Sequence, residues 1–241
     1  METRFTERSA RVYARITGLL YLVIIVFGLF SEVFVRSALI VHGNADATAA
    51  NILSSEWLFR MGFASDLVAF SCDAAVAVLL YILLLPVSKT FSLLSSGFRL
   101  TGTAIYGVNL LNYLAALWVL KSPEYLDAFN PGQLHSIALM FLNIHKHGYD
   151  LGLVFFGVHC LLLGGLLLKS EYFPGILGVL MILGGLGYLT GSFTLFLWPR
   201  YSSAIAMIYI APLLGESSFC LWLLIKGIGR VKTGFKTLDQ P

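Results

Sequence analysis

Charge is what this sequence has least of. Asp, Glu, Lys and Arg make up only 12% of the 241 residues, while hydrophobic residues make up 58%; a soluble domain carries about a quarter charged residues. So little polar surface cannot cover a water-soluble globule, and the solvent that fits is a lipid bilayer. The net charge of +3 is too small to suggest a nucleic-acid partner. Cysteine is scarce as well: Cys72, Cys160 and Cys220 each lie in an apolar stretch without a C-x-x-C pattern, which points to buried thiols and not to a disulfide framework. There is no H-E-x-x-H, no H-x-x-x-H and no G-x-S-x-G, so zinc-protease and serine-hydrolase signatures are missing. No repeat, inverted repeat, linker or low-complexity segment is visible. The missing inverted repeat counts against the usual transporter architectures. No cofactor is implied.

What the chain does have is long apolar runs. A helix crossing the hydrocarbon core needs about 20 mostly apolar residues. Six segments qualify, at about 13–34, 58–86, 92–120, 148–168, 174–197 and 204–226. The expected fold is therefore all-α, a six-span transmembrane helical bundle forming a single integral membrane domain, 1–241. The first run follows Arg4, Arg8, Arg11 and Arg15 but ends in Ser31-Glu32-Val33-Phe34. That is no small-x-small cleavage site, so it reads as a retained anchor. Residues 44–59 and 132–145 carry helical apolar spacing between spans. They are expected as short outer interfacial helices or extensions of the next span, the first capped by Asp46 or Thr48.

Basic residues set the orientation. With the N-terminus inside, Arg4, Arg8, Arg11, Arg15, Lys89, Lys169, Lys226, Arg230, Lys232 and Lys236 fall on the inner side. Arg36, Arg60, Lys121, Lys146 and Arg200 fall outside, and Arg99 lies within the third span. Both termini are expected in the cytoplasm, with the last ten residues a short disordered basic tail. In a bacterium the membrane would be the inner one.

Residues 153–191, LVFFGVHCLLLGGLLLKSEYFPGILGVLMILGGLGYLTG, resemble a family of bacterial multi-pass membrane proteins known only as a domain of unknown function. ARITGLLYLVIIVFG near the N-terminus, HGNADATAANIL at 42–53, GFRL at 97–100 and Pro212 with Glu216 ahead of LWLLIKG agree with it. At 42–44 the chain has His-Gly-Asn where the resemblance implies a proline-glycine turn. The resemblance implies fold and location and carries no activity.

Ionisable groups within spans are costly, face the interior and are functional candidates by default. On the second span Asp66 and Asp73, seven apart, share a face. They lie about 12 Å and about 22 Å below its outer end. Arg99 lies about 10 Å from the inner end of the third span, within reach of Asp73. His159 and Glu216 lie about 16 Å and about 18 Å below the outer ends of spans four and six. Asn109, Asn112 and Tyr188 are expected to line the same interior. The simplest arrangement pairs Asp73 with Arg99 and sets His159 between Asp66 and Glu216. Glu32 is expected to pair with Arg36 or Arg60 at the interface. His135, His145, His147 and Asp150 are weak metal candidates near the outer surface, since zinc needs three or four convergent ligands. A bis-histidine haem needs two deep histidines and His159 alone qualifies.

Among the 23 glycines, Gly157, Gly164 and Gly165 on span four and Gly184, Gly187 and Gly191 on span five give small faces. These are expected to pack spans four and five together. Pro212 and Gly215 fall mid-span and are expected to bend the sixth helix beside Glu216. Three functions fit this pattern. The first is a binding, structural or sensory membrane protein without catalysis. The second is a small proton-coupled permease using Asp66, Asp73, His159 and Glu216. The third is an intramembrane lipid-modifying enzyme. The bilayer is the one partner implied; an ion or small-molecule ligand and the oligomeric state are left open.

Overall fold

The apolar runs become helices almost throughout a computed structural model that describes residues 7–202 and 204–228. The helices are α1 (Glu7–Leu29), α2 (Ser37–Leu39), α3 (Ala45–Ser54), α4 (Glu56–Leu84), α5 (Lys89–Lys121), α6 (Pro123–Ala128), α7 (Pro131–Lys169), α8 (Gly175–Leu197) and α9 (Ile210–Ile225). There is no strand among the described residues. Six helical segments there are long and apolar enough to cross a membrane: Ser9–Leu39, Glu56–Leu84, Lys89–Lys121, Pro131–Lys169, Gly175–Leu197 and Met207–Ile225. The fold is all-α with six spans. Arg4, Arg230, Lys232, Lys236 and the expected basic tail lie outside the described residues.

By contacts the chain divides into two compact units. Among the described residues one comprises the chain up to Leu22, Cys72–Gly102 and the chain from Leu153 onward; the other comprises Val23–Ser71 and Thr103–Gly152.

In the first unit, α1 shows why composition becomes helix packing. Ala10, Ala14, Thr17 and Tyr21 are buried, while Val12, Ile16, Leu19 and Leu22 are exposed. This is a helical period with the apolar side left for lipid. Helices α7 and α8 form a hairpin joined through Ser170–Pro174, packed glycine on glycine. A Cβ on Gly164 would lie 2.6 Å from the Gly178 carbonyl, and one on Gly185 would lie 2.7 Å from the Gly157 carbonyl. Only bare backbone permits that approach. Gly184, Gly187 and Gly191, expected on this seam, instead receive α9 and its lead-in: Pro212 lies on Gly184 and Gly187, and Tyr209 on Gly191. Gly165 meets nothing within 4 Å. The residues of α8 alternate two small faces, one for each neighbour, which a face count without partners cannot resolve.

Pro212 also differs from expectation. Helix α9 begins at Ile210, after a 3₁₀ turn over Ala206–Tyr209. Pro212 therefore sits in the first turn, where its missing N–H would have had no intrahelical partner. It helps start the helix and does not bend it.

In the second unit the first span ends in a π-helix, Phe30–Arg36, before α2. Gly43 takes a positive φ of 74°, supplying the turn into α3 without a proline. The N-cap of α3 is Asn44, whose side chain accepts from the Ala47 N–H at 3.0 Å, not Asp46 or Thr48. Thr48 instead donates to the Asn44 carbonyl at 2.8 Å and accepts from the Val41 N–H at 3.0 Å. The core gathers Val35, Leu39, Ile52, Phe59, Tyr113, Leu117 and Leu142. Phe59 stacks on Tyr113 at 4.0 Å, and the Tyr113 hydroxyl donates to the Phe59 carbonyl at 3.1 Å. Of the two forms expected for residues 132–145, an interfacial helix or an extension of the next span, the second is found: they are the first part of α7, continuous with span four over 39 residues. The short outer helix α6 has Pro123 at its start, a position where proline costs nothing.

Candidate functional site

In the first unit Arg99 is the hub. It is fully buried, at 0% exposure, and lies between two rings, 4.7 Å from the Tyr21 centroid and 4.9 Å from that of Phe156. Its Nη2 and Nε donate to Asp73 Oδ1 at 2.5 and 3.1 Å. Its Nη1 reaches the Tyr21 hydroxyl at 3.2 Å and His159 Nε2 at 3.1 Å. The Asp73–Arg99 ion pair anticipated from sequence is formed. A guanidinium is the side chain that can serve this many acceptors in one plane, because its donors form a rigid fork.

These contacts assign the histidine tautomer. Arginine has no acceptor, so His159 Nε2 must accept and the ring proton lies on Nδ1. Nδ1 lies 2.9 Å from the Ser95 carbonyl and 2.8 Å from Ser95 Oγ, and the Ser95 hydroxyl points back to the His159 carbonyl at 3.4 Å. In this arrangement the imidazole is neutral, and both ring nitrogens are engaged.

From Arg99 the network continues outward. Tyr21 accepts from Arg99 and donates to Glu216 Oε2 at 3.2 Å; the Tyr188 hydroxyl donates to Glu216 Oε1. Asp73 and His159 are buried, whereas Glu216 and Tyr188 are half-buried. The chain of contacts thus runs from a sealed ion pair to a more open carboxylate held by two phenols. Tyr21 and Ser95 complete it, and sequence reading missed both. Tyr21 is one more aromatic in an apolar run, and its alignment with Thr17, Ala14 and Ala10 on the buried face of α1 was the available signal.

The second unit has its own buried carboxylate. Asp66, expected beside His159, accepts from Arg36 Nη1 at 2.5 Å. Arg36 Nη1 also donates to Ser31 Oγ at 2.8 Å, and its Nε to Glu32 at 2.6 Å. Ser31 in turn donates to the Gly62 carbonyl at 3.2 Å. The π-helix aligns these groups, since its i→i+5 turn sets Ser31 against Arg36 and lets Ser37 donate to the Glu32 carbonyl at 2.9 Å. Arg36 was expected as an interfacial partner of Glu32 and is that, but it also neutralises the buried Asp66. Arg60 pairs with Glu56, which also takes Lys121.

Asn109 and Asn112 belong to this second unit. Asn109 Nδ2 donates to the His145 carbonyl at 2.6 Å, His145 Nδ1 returns a bond to the Asn109 carbonyl at 3.1 Å, and Asn112 donates to Asn109 Oδ1 at 3.0 Å. His145 is buried, although the sequence placed it with His135, His147 and Asp150 near the outer surface. The four outer metal candidates do not converge. His135 bonds Asp46 at 2.7 Å, His145 is held by Asn109, His147 is exposed and Asp150 half-buried. Among the described residues no three His, Cys, Asp or Glu are grouped to hold a metal.

Six apolar spans with ion pairs inside them define a multi-pass integral membrane protein in contact with the lipid bilayer. The chain belongs to the family described as "Domain of unknown function (DUF4386)", whose model matches residues 16–227. It is also similar to an uncharacterized protein of Archaeoglobus fulgidus, 34% identical over 155 residues that cover 64% of this chain and 76% of the archaeal one. No solved structure matches.

Proposed function

We propose that the protein is a non-catalytic membrane protein of binding, structural or sensory type, held together by polar locks within its spans. We place it in the cell membrane with both termini cytoplasmic. The observation that carries the first part is Arg99, whose donors are taken by Asp73, Tyr21 and His159. A group committed to three neighbouring helices is placed to fasten them, since buried polar contacts between membrane helices serve association. The excess of Lys and Arg on the N-terminal side supports the orientation, and cysteine labelling at Lys226 and Lys121 from either side of sealed vesicles tests it. Proteoliposomes of the full chain are expected to show no proton flux above empty vesicles. A flux abolished by His159→Ala would overturn this reading.

One observation favours a second reading, a proton-coupled permease. Glu216 is less buried than Asp73, and its side-chain contacts are two neutral hydroxyls, those of Tyr21 and Tyr188. An ion or small-molecule ligand would meet this carboxylate before any other of the network. Carbodiimide labelling followed by peptide mapping separates the cases. Modification at Glu216 alone, together with flux lost in Glu216→Gln, supports the permease; no modification supports the lock. The third reading, a lipid-modifying enzyme, would use His159 as a base, and its ring nitrogens are already engaged by Ser95 and Arg99.

A further inference from the structure

One end of the first unit is strongly and asymmetrically charged. The start of α1 brings Arg11 and Arg15, the start of α5 brings Lys89, the end of α7 brings Lys169, and the residue after α9 is Lys226. All five are exposed. The fold brings these ends together. Gly227 lies where a Cβ would be 3.9 Å from the Arg11 carbonyl and 3.8 Å from Ala14 Cβ. Cys220 donates to the Gly18 carbonyl at 3.4 Å. Ser92 donates to the Tyr81 carbonyl at 2.9 Å, closing the α4–α5 hairpin. Phe173, in the α7–α8 loop, packs on Phe219 of α9 at 5.8 Å. Lys169 Nζ lies 5.4 Å from the ring centroid of Phe91, which joins the end of α7 to the start of α5. Among the described side chains of this end, the exposed acid is Glu171.

We propose that this end binds the headgroups of anionic phospholipids. The reasons are charge and position together. The cations stand at the ends of membrane-crossing helices, at the level where headgroups lie, and long basic side chains there extend to the interface. Exposed Phe91 and half-buried Tyr172 sit among them, as aromatic residues do at membrane interfaces. Cations elsewhere are fewer or face acids: Lys121 and Arg60 are paired with Glu56, Arg36 with Glu32 and Asp66, and Arg200 lies over the Tyr201 ring at 4.7 Å. A cation near an anionic surface improves binding about fivefold, so three of them are worth roughly a hundredfold before screening.

The test uses the purified full chain in neutral detergent, titrated with phosphatidylglycerol or phosphatidylcholine, with bound lipid counted by native mass spectrometry. Phosphatidylglycerol is expected to be retained over phosphatidylcholine by about tenfold or more, and the preference should collapse when salt is raised to about 1 M. The triple variant Lys89→Gln/Lys169→Gln/Lys226→Gln should lose the preference. The variant Arg60→Gln/Lys121→Gln/Lys146→Gln should keep it. No preference in the unaltered chain, a preference indifferent to salt, or equal loss in both triple variants would each overturn the proposal. The salt titration needs no variant, so the outcome does not depend on how the substituted chains fold.

Discussion

Removing the carboxylate from Asp73 should reveal how much the Arg99 hub is worth. Asp73→Asn keeps the shape of the side chain and can still accept one hydrogen bond, so packing is conserved while the charge is lost. Two of the Arg99 contacts, at 2.5 and 3.1 Å, end on the same Asp73 oxygen. A neutral hydrogen bond between membrane helices is worth only about 0.6 kcal/mol on average. Breaking a buried ion pair from one side costs about 3–5 kcal/mol, because the remaining charge is left uncompensated. Arg99 is fully buried, so the larger figure should win. Arg99→Met keeps the apolar stem between the Tyr21 and Phe156 rings and removes the charge. The double variant should recover much of the single loss, short of about 1–3 kcal/mol for the His159 Nε2 left without its donor. Reversible unfolding of the full chain in mixed micelles, by denaturing-detergent titration, gives the four corners of this cycle. A single-variant loss near 0.6 kcal/mol, or losses that simply add, would refute the hub as an electrostatic lock.

Gly164→Ala should destabilise by about 1–3 kcal/mol, since the added carbon meets a backbone carbonyl that cannot move alone; Gly165→Ala, in open space, should be neutral or gain up to about 1 kcal/mol of helix propensity. The same unfolding titration compares them. Arg36→Lys should loosen the Phe30–Arg36 segment, because one ammonium cannot reproduce the fork to Asp66, Ser31 and Glu32; faster hydrogen exchange confined there would show it. Tyr113→Phe should cost about 0.5–1.5 kcal/mol, losing the bond to the Phe59 carbonyl while keeping the ring stack.

Much of the fold was legible because lipid imposes a length on every apolar run. The third span, read as about 92–120, forms as Lys89–Lys121, and the fifth, read as about 174–197, forms as Gly175–Leu197. The fourth span, read as about 148–168, starts earlier because helices do not stop at the apolar edge: α7 continues through polar His145, Lys146 and His147, the second of the two forms read for residues 132–145. The charged pair Asp73–Arg99 was legible from spacing on two adjacent spans. Partners supplied by the first span, Tyr21 and Arg36, were not, since depth along a helix is readable from sequence and azimuth around it is not. Asp66 and Asp73 illustrate this: seven residues apart on one helix, they serve different arginines.

The π-turn at Phe30–Arg36 amounts to one surplus residue spliced into an otherwise regular helix. Deleting a single residue there would let the ordinary i→i+4 pattern close without strain, so the backbone gains regularity. Yet that repair turns whatever follows by about 100°, carrying Arg36 off the bearing that brings it to Ser31 and Asp66. The length of the first span is therefore fixed twice over, once by bilayer thickness and once by rotational phase. Relatives that lack the extra residue should also lack one end of the Arg36–Asp66 pair, so that gaps in an alignment and charge substitutions would be inherited together.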